Sequence, residues 1–554
     1  MSENYLEFIL SNQREVSIPH YLKTLGYREV GTAFQQMLLY PEELQRAVLR
    51  DILSNTLRSR WGEEKHFADI TSVEEYQEKI PLSEYVQYQE AIHRLEEGEQ
   101  NLLYDGETVM FLASSGSTGV PKYIPESKNG QKAKSMVSSL RRIIKMQQLP
   151  ELMKPGMKIF AMSNPAEYEK SKGGIPIGSA SGQATSDSDT READLLILPP
   201  EFLTLSDIPS ADRDYIMLLF AVSQEHMAAI ICNNPGHFGI LIKRLNTDTE
   251  QIIRDLESGT ISVALPGEIK SRLEQRLGIH RDRAELLRTV REQKGEIRAE
   301  HIWPDLHAVS CWLGGSVGRA VREIRELLPE DMVFMDCGYG ASEGKFNIPV
   351  QKNTPAGVAA SFGNFFEFLP IGGEKPVCLW EVEDGKSYEL IITSYSGLYR
   401  YQMHDIVKVA GFAGKTPQLV FECKKSDCLI QGKQTLYSSQ LTGLIEAYEA
   451  ETNTYLRHFE ICSQKGMLPA LVIEPGTTGV DTVQFADYIC KQLLECHQIE
   501  LVDVWEMKEG YRDSLFTRNL KKGKTVNQTK LAVFTEKVPP EEFRKQKIER
   551  WGTQ

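Results

Sequence analysis

The chain has 554 residues, of which 41% are hydrophobic and 25% are charged, the balance of a globular protein large enough for more than one domain. Its formal net charge of -14 at pH 7 disfavours binding to nucleic acid or to an anionic membrane surface. The nine cysteines are scattered, and the closest pair, Cys423 and Cys428, has no second pair or nearby histidine, so we expect reduced thiols and no zinc site.

The N-terminal residues Met1–Asn4 carry neither a basic segment nor a small-residue cleavage site, so no secretory signal is expected there. The most apolar stretches, Tyr215–Val222 and Met227–Cys232, are too short to cross a bilayer. The sequence therefore predicts a cytoplasmic protein without a membrane partner.

Periodicity predicts three elements in the first quarter of the chain. Glu42–Arg60 has leucines and other apolar residues at helical spacing, which indicates an amphipathic helix. Thr108–Leu112 reads as a buried strand and is followed at once by a Ser/Gly-rich loop, and Lys132–Gln147 returns to a helical pattern. This order of strand, glycine-rich loop and helix is the first candidate for a binding site.

Two strand-like runs, Cys378–Val382 and Tyr388–Thr393, flank Asp384–Gly385, a dipeptide that favours a β-hairpin. Beyond them the pattern changes to that of a small α+β unit. Its predicted elements are a helix at Leu441–Tyr448, strands at Leu456–Ile461 and Ala470–Glu474, a helix at Gln484–Cys496 and a strand at Leu501–Trp505. We therefore predict an α/β protein with an N-terminal domain at residues 1–424 and a C-terminal domain at residues 425–554.

The sharpest motif is the loop from Ser114 to Lys122, with the sequence Ser-Ser-Gly-Ser-Thr-Gly-Val-Pro-Lys. Small hydroxyl residues and glycines let backbone N–H groups approach an anion, and the lysine adds a positive charge for phosphate. The spacing is not that of a Walker A loop. The alternative is a flexible surface linker, which the buried strand immediately before the loop disfavours.

Three further sequence features indicate a catalytic or binding site only when they are taken together. Gly338-Tyr339-Gly340-Ala341-Ser342-Glu343 offers an aromatic ring for a base and a carboxylate for Mg²⁺, but it could equally be a glycine turn with a core tyrosine. Asp405 precedes the strand-like Ile406–Val409 and could accept hydrogen bonds from ribose hydroxyls or simply cap that strand. Lys530, in Asn-Gln-Thr-Lys, would by itself be a surface charge.

Taken in order, these motifs resemble the signatures of the adenylate-forming superfamily, and the match is closer to one family within it. The chain resembles the auxin-responsive acyl acid amido synthetases of plants, the Gretchen Hagen family, as a bacterial-type member. The blocks that carry this resemblance are Ile80–Tyr85, Ile302–Leu306, Cys311–Ser316, Gly363–Pro370, Gly397–Tyr401, Val409–Phe412, Pro417–Gln418 and Gln528–Lys530.

The resemblance implies the acyl-CoA synthetase/luciferase-like fold, with a large N-terminal domain of packed sheets and helices and a small mobile α+β C-terminal domain. It implies that ATP and Mg²⁺ are used to adenylate a small carboxylic acid, and that an amino acid or other amine then displaces AMP. It assigns catalytic roles to Lys530, Glu343 and Ser117, with Glu343 at the metal. Nucleotide contacts are implied for Ser114, Ser115, Gly116, Ser117, Thr118, Lys122, Gly314, Gly315, Ser316, Tyr339, Gly340, Ala341, Ser342, Asp405 and Lys425.

Some positions depart from the family pattern and bear on the acceptor. The Ser-Gly-Ser-Thr-Gly form of the loop is nearer to general acyl-CoA synthetases, and His404 replaces the usual glycine before Asp405. One alternative is therefore a thiol acceptor, either coenzyme A or the phosphopantetheine arm of a carrier protein. Another is a catalytically silent binding protein on the same fold, against which Glu343 and Lys530 both argue.

Overall fold

The structure, a computed structural model, describes residues 6–7, 18–114, 122–162, 164–180, 182, 194–199, 202, 205, 208–464, 469–476, 479–501, 503–520 and 531–549. The chain divides into two compact units. The first comprises Met1–Met403 and Val407–Phe421, and the second comprises His404–Ile406 and Glu422–Gln554. The main division thus falls at residue 421, three residues before the predicted boundary at 424.

The helices of the first unit form one group before the glycine-rich loop and a second group in the middle of the chain. They are α1 (Ile18–Thr24), α2 (Tyr27–Met37), α3 (Pro41–Ser54), α4 (Arg60–Glu64), α5 (Val73–Lys79), α6 (Tyr85–Glu96), α7 (Lys128–Gln148), α8 (Ser210–Ser223), α9 (Pro235–Thr247), α10 (Thr249–Ser258), α11 (Gly267–Leu277), α12 (Arg281–Lys294), α13 (Ala299–Ile302), α14 (Gly315–Gly318) and α15 (Ala320–Arg325). Short 3₁₀ turns lie at Phe67–Asp69, Pro150–Met153 and Leu379–Glu381.

Fifteen described strands begin in the first unit. They are β1 (Thr108–Ser114), β2 (Lys122–Ser127), β3 (Lys158–Met162), β4 (Glu169–Lys170), β5 (Pro176–Gly178), β6 (Met227–Cys232), β7 (Ala308–Cys311), β8 (Val333–Asp336), β9 (Asn347–Pro349), β10 (Gly357–Ala359), β11 (Asn364–Pro370), β12 (Val377–Cys378), β13 (Ser387–Ser394), β14 (Tyr401–Ala413) and β15 (Thr416–Lys424).

These strands form three sheets. Their orders are β2-β1-β5-β4, β3-β6-β7-β8 and β12-β11-β13-β14-β15-β10-β9. The β3-β6-β7-β8 sheet is wholly parallel, and its strand β6 is a continuous apolar run because parallel strands are covered on both faces. Loops at the carboxyl ends of such strands gather at one edge, which is where this fold class builds binding sites.

Three local predictions need correction. The helix predicted over Glu42–Arg60 ends at Ser54, because Thr56 Oγ1 bonds the Leu53 carbonyl at 2.7 Å and Ser59 caps a new helix by accepting from Gly62 N at 3.0 Å. Asp405 does not precede a strand, since it lies within β14.

The hairpin predicted around Asp384–Gly385 is also wrong. The first run contains only the short strand β12, which pairs with β11, followed by a 3₁₀ turn. The Glu381 carboxylate accepts a hydrogen bond from Cys378 N at 2.7 Å and so stabilises that turn. Strand β13 pairs instead along its whole length with β11, from Asn364↔Ser394 to Pro370↔Tyr388.

The second unit has the α+β composition that the sequence predicts. Its elements are β16 (Cys428–Gln431), β17 (Gln434–Tyr437), α16 (Ser438–Thr452), β18 (Leu456–Cys462), β19 (Ala470–Pro475), α17 (Thr482–His497), β20 (Asp503–Met507), α18 (Tyr511–Leu520), β21 (Phe534–Thr535), a 3₁₀ turn (Glu541–Phe543) and β22 (Arg544–Glu549). The five-stranded sheet has the order β21-β18-β19-β20-β22. It has its own core, built around Leu441, Ile461, Ile473 and Ile489. The two helices and three strands predicted here are therefore confirmed.

Across the described part of both units, each helix is too short or too polar to cross a lipid bilayer.

Candidate active site

The glycine-rich loop joins the paired ends of β1 and β2. Ser114 and Lys122 are register partners in this antiparallel pair, so the strands hold the two ends of the loop side by side. Residues 115–121 lie outside the described residues, and with them the predicted phosphate ligands Ser115, Gly116, Ser117 and Thr118. The nucleotide contacts predicted for the loop therefore stay predictions, whereas the position of its ends is known.

The segment 338–343 lies against the end of β1. Ser342 Oγ donates a hydrogen bond to the carbonyl of Ala113, the residue before Ser114, at 3.4 Å. The segment itself is a tight turn, in which Ala341 N donates to Gly344 O at 2.8 Å. Two motifs more than 200 residues apart in the chain are thus neighbours in the fold.

Asp336, at the end of β8, connects this turn to a third predicted segment. Its two carboxylate oxygens accept hydrogen bonds from Gly338 N at 2.6 Å and from Leu313 N at 2.8 Å. Burial raises the pKa of Asp336, and the two N–H donors oppose that rise. Leu313 directly precedes Gly314, so one buried carboxylate fixes both loops that follow parallel strands β7 and β8.

Gly314, Gly315 and Ser316 form the start of α14 in this region. Gly314 is the N-cap of that helix, and its α-carbon lies so close to the chain that an added Cβ would be 3.1 Å from the Phe421 carbonyl oxygen. Gly315 has a φ of +64°, a conformation that glycine adopts without strain. All three residues are half-buried, and their predicted nucleotide contacts stay predictions.

Arg141 supports the 338–343 turn from α7. Its guanidinium donates to the carbonyls of Tyr339 at 2.8 Å and Asn347 at 2.6 Å, and burial lowers its pKa to about 10. Gly338 has a φ of +90°, and a Cβ there would lie 2.3 Å from Arg141 Cζ. Glycine is therefore required at this position by both the backbone angle and the packed guanidinium.

Tyr339 is 9% exposed and packs between two phenylalanines. Its ring centroid is 4.9 Å from that of Phe346 and 5.3 Å from that of Phe421, while its N–H donates to Asn347 Oδ1 at 2.7 Å. The alternative that Tyr339 is a core residue in a glycine turn thus accounts for most contacts of its ring. Contact with adenine stays a prediction for Tyr339, Gly340 and Ala341.

Lys122 packs over the ring of Tyr85, a tyrosine whose pKa is also affected by Glu343. Lys122 Nζ lies 5.1 Å from the centroid of the Tyr85 ring. Burial raises the pKa of Tyr85, and the negative charges of Glu96 and Glu343 add to the rise. Glu343 is 9% exposed. The predicted phosphate-binding lysine thus contacts the Tyr85 ring, and the charge of the predicted metal-binding carboxylate acts on the same tyrosine.

The donor atoms near Glu343 match the way proteins bind Mg²⁺ rather than a metal site whose ligands are all protein side chains. Among the described residues there is no group of three or more His, Cys, Asp or Glu side chains that could hold an ion. Mg²⁺ is commonly held by one or two carboxylates together with substrate phosphates and water. A single carboxylate beside the ends of a phosphate-type loop fits that pattern.

Asp405 and Lys425 belong to the second unit. Asp405 is 2% exposed, and its carboxylate forms an ion pair with Lys424. Lys425 N donates to the carbonyl of His404 at 2.7 Å, and His404 has a φ of +52°. The ribose contact of Asp405 and the nucleotide contact of Lys425 stay predictions. Lys530 lies outside the described residues.

Sequence reasoning missed three residues that the structure places at this site: Asp336, Arg141 and Lys345. Lys345 follows the 338–343 segment by two positions and lines a pocket with Ala341. Its half-buried position and the nearby positive charges of Arg141 and Lys134 lower its pKa to about 7. In the sequence, only the closeness of this lysine to the glycine turn could have indicated that it belongs to the site.

Comparison with known proteins gives a consistent match. The GH3 family N-terminal domain matches residues 31–333, and the GH3 family central domain matches residues 358–424. The indole-3-acetic acid-amido synthetase GH3.2 of Arabidopsis thaliana is 25% identical over 475 residues, covering 77% of this chain and 85% of the relative. The jasmonoyl–L-amino acid synthetase JAR4 of Nicotiana attenuata is 21% identical over 430 residues, covering 72% of each.

A solved structure shares the fold at low identity. The AtGH3.15 acyl acid amido synthetase in complex with 2,4-DB superposes with a TM-score of 0.80 at 18% identity, covering 95% of this chain and 99% of that one. The predicted fold class is thereby confirmed.

Proposed function

We propose, from the premise that the chain belongs to the GH3 family, that it is an ATP-dependent acyl acid amido synthetase. It adenylates a small carboxylic acid and transfers the acyl group to an amino acid or another amine. The observation that carries the proposal is the hydrogen bond from Ser342 to Ala113, because it sets the Ser342–Glu343 segment beside the ends of the phosphate-type loop. The relatives named as acid-amido synthetases support the amine acceptor.

The first half-reaction forms one bond and breaks one. A carboxylate oxygen of the acid attacks the α-phosphorus of ATP. The bond from that phosphorus to the oxygen that bridges the α- and β-phosphates breaks, and pyrophosphate leaves. Lys122 supplies positive charge at one end of the loop, and Ser117 and Thr118 supply hydroxyl donors within it. Glu343 would hold Mg²⁺, which neutralises phosphate charge when bound. Lys530 would neutralise the charge that develops on the α-phosphate, since such electrostatic stabilisation is usually a large part of catalysis.

The second half-reaction leaves the nucleotide as AMP. The neutral nitrogen of the amine attacks the acyl carbon, the bond from that carbon to the phosphate oxygen breaks, and the nitrogen releases one proton to solvent. Gly314, Gly315, Ser316, Tyr339, Gly340, Ala341, Asp405 and Lys425 would position the nucleotide in both steps. Holding acid and nucleotide in line lowers the entropic part of each barrier. Glu343 is only 9% exposed and is therefore largely shielded from bulk water.

The test is product analysis with two kinds of acceptor. The protein is incubated with MgATP, a panel of aryl and alkyl acids, and either mixed amino acids or coenzyme A, and the products are identified by mass spectrometry. The proposal expects an N-acyl amino acid together with AMP. An acyl thioester with no amide would assign the thiol-acceptor alternative, which the Ser-Gly-Ser-Thr-Gly loop favours. Neither product with any acid would contradict the proposal.

A further inference from the structure

A pocket lies next to the 338–343 turn, within the first unit. Its apolar wall is formed by Met110 and Leu112, two residues apart on β1 and therefore on the same face of that strand. Ala341 and Lys345 close it on the side of the turn. The pocket thus begins where Ser342 meets β1, at the centre of the proposed adenylation site.

The opposite wall is one face of α7, and it is polar. Gln131, Lys134, Ser135, Ser138 and Arg142 line the pocket, at the i, i+3, i+4, i+7 and i+11 positions that share one face of a helix. The apolar face of α7 packs into the core instead. The helix therefore turns its polar face toward this pocket, where a polar group is costly to bury unless it meets water, a ligand or another polar group.

The charges on this wall do not balance. Glu126 contributes the one carboxylate among the described residues that line the pocket. It forms an ion pair with Lys134 and also accepts a hydrogen bond from Ser396 Oγ at 3.0 Å. Arg142 and Lys345 each add a positive charge to the lining. The described lining thus carries a net positive charge even if Lys345 is left out of the count.

Lys345 is the cation placed to meet a ligand. Its side chain is half-buried beside Ala341, and within the described residues its ammonium has no hydrogen-bond acceptor. Lys134, by contrast, already donates to the Ser342 carbonyl at 2.7 Å and pairs with Glu126. An anionic group of a substrate would supply the acceptor that Lys345 lacks among its described neighbours.

We infer that this pocket selects acids with an apolar body and a second acidic group, such as dicarboxylic acids, and that Lys345 contacts that second group. The inference rests on the proposed function. The reacting carboxylate loses its negative charge when it becomes the acyl group of an adenylate, so it cannot neutralise the positive charge of the pocket in both half-reactions. A second carboxylate keeps its negative charge throughout and can neutralise that positive charge in both.

The test compares matched pairs of acids by acid-dependent pyrophosphate exchange at pH 6.5. One pair is benzoate and benzene-1,3-dicarboxylate, and the other is hexanoate and hexanedioate. The wild-type protein is expected to show a kcat/KM at least tenfold higher for the dicarboxylic acid of at least one pair. Lys345→Met is expected to lower kcat/KM for that acid at least tenfold and to change the monocarboxylic partner less than threefold. Tenfold corresponds to about 1.4 kcal/mol, close to the lower end of the roughly 1.5–3 kcal/mol of a hydrogen bond to a charged group.

Two control variants separate charge from structure. Lys345→Arg keeps the positive charge and is expected to retain the preference within threefold. Lys128→Met makes the same charge change at an exposed residue of α7 that does not line the pocket, and it is expected to change nothing. Circular dichroism checks the folding of each variant, and if Lys345→Met does not fold, the wild-type preference alone decides.

The results that would contradict this inference differ from those that would contradict the proposed function. Exchange with monocarboxylic acids and no preference for either dicarboxylic acid would overturn the inference and leave the proposed function standing. An equal loss for both members of a pair in Lys345→Met would also overturn it, because the lysine would then serve the reacting carboxylate. No exchange with any acid would overturn both.

Discussion

Replacing Gly338 by alanine tests how firmly Arg141 holds the turn that carries Ser342 and Glu343. The new Cβ would lie 2.3 Å from Arg141 Cζ and Nε, so the guanidinium must move. Movement would weaken its hydrogen bonds to the Tyr339 and Asn347 carbonyls, each worth about 1.5–3 kcal/mol because the donor is charged. A φ of +90° adds about 1 kcal/mol for a residue with a Cβ. We expect a total loss of about 3 kcal/mol or more.

The assay is urea unfolding followed by tryptophan fluorescence, with acid-dependent pyrophosphate exchange measured on the same samples. Gly372→Ala is the matched control, because Gly372 has a φ of +79° and nothing within 4 Å of an added Cβ. The control should lose only the backbone term of about 1 kcal/mol and keep its exchange rate. Equal destabilisation of the two variants would refute the reasoning, since the movement of Arg141 would then not lower the free energy of unfolding.

Two other predictions concern charge. Burial raises the pKa of Asp51 from 3.8 to about 6. Protonation therefore favours the folded state, and stability is lost as the pH rises from about 4 to 6. Asp51→Asn should reduce that loss by up to about 3 kcal/mol, as unfolding at pH 4, 5 and 7 would reveal. Arg400 and Glu367, 6% and 1% exposed, are paired at 2.8 Å; Arg400→Met should cost about 3–5 kcal/mol in urea unfolding, and adding Glu367→Gln should recover part of it.

Local patterns in the sequence were enough to predict several elements of the fold and the family. The α+β character of the second unit follows from periodicity, and strand β1 before the glycine-rich loop follows from its apolar run. The order of the motifs identified the family without any contact information. The structure adds that Ser342 bonds to Ala113, so the second motif lies at the base of the first.

What the sequence could not supply depends on contacts between distant residues. Asp336 and Arg141 look ordinary in the sequence, because each acts only through partners brought close by folding. The hairpin at Asp384–Gly385 was wrongly predicted because a turn dipeptide is local, whereas the partner of β13 was decided by seven residues of β11. Lys345 was overlooked for the same reason, since its burial beside α7 is not visible in the chain order.

The fate of the carboxylate oxygens during the reaction shows whether an acyl-adenylate forms. An acid labelled with ¹⁸O in both carboxylate positions is converted to its amide in the presence of MgATP, and the nucleotide products are weighed by mass spectrometry. Attack on the α-phosphorus predicts AMP that carries one ¹⁸O atom, with the other retained in the amide carbonyl. Unlabelled AMP, or label in inorganic phosphate with formation of ADP, would contradict an acyl-adenylate.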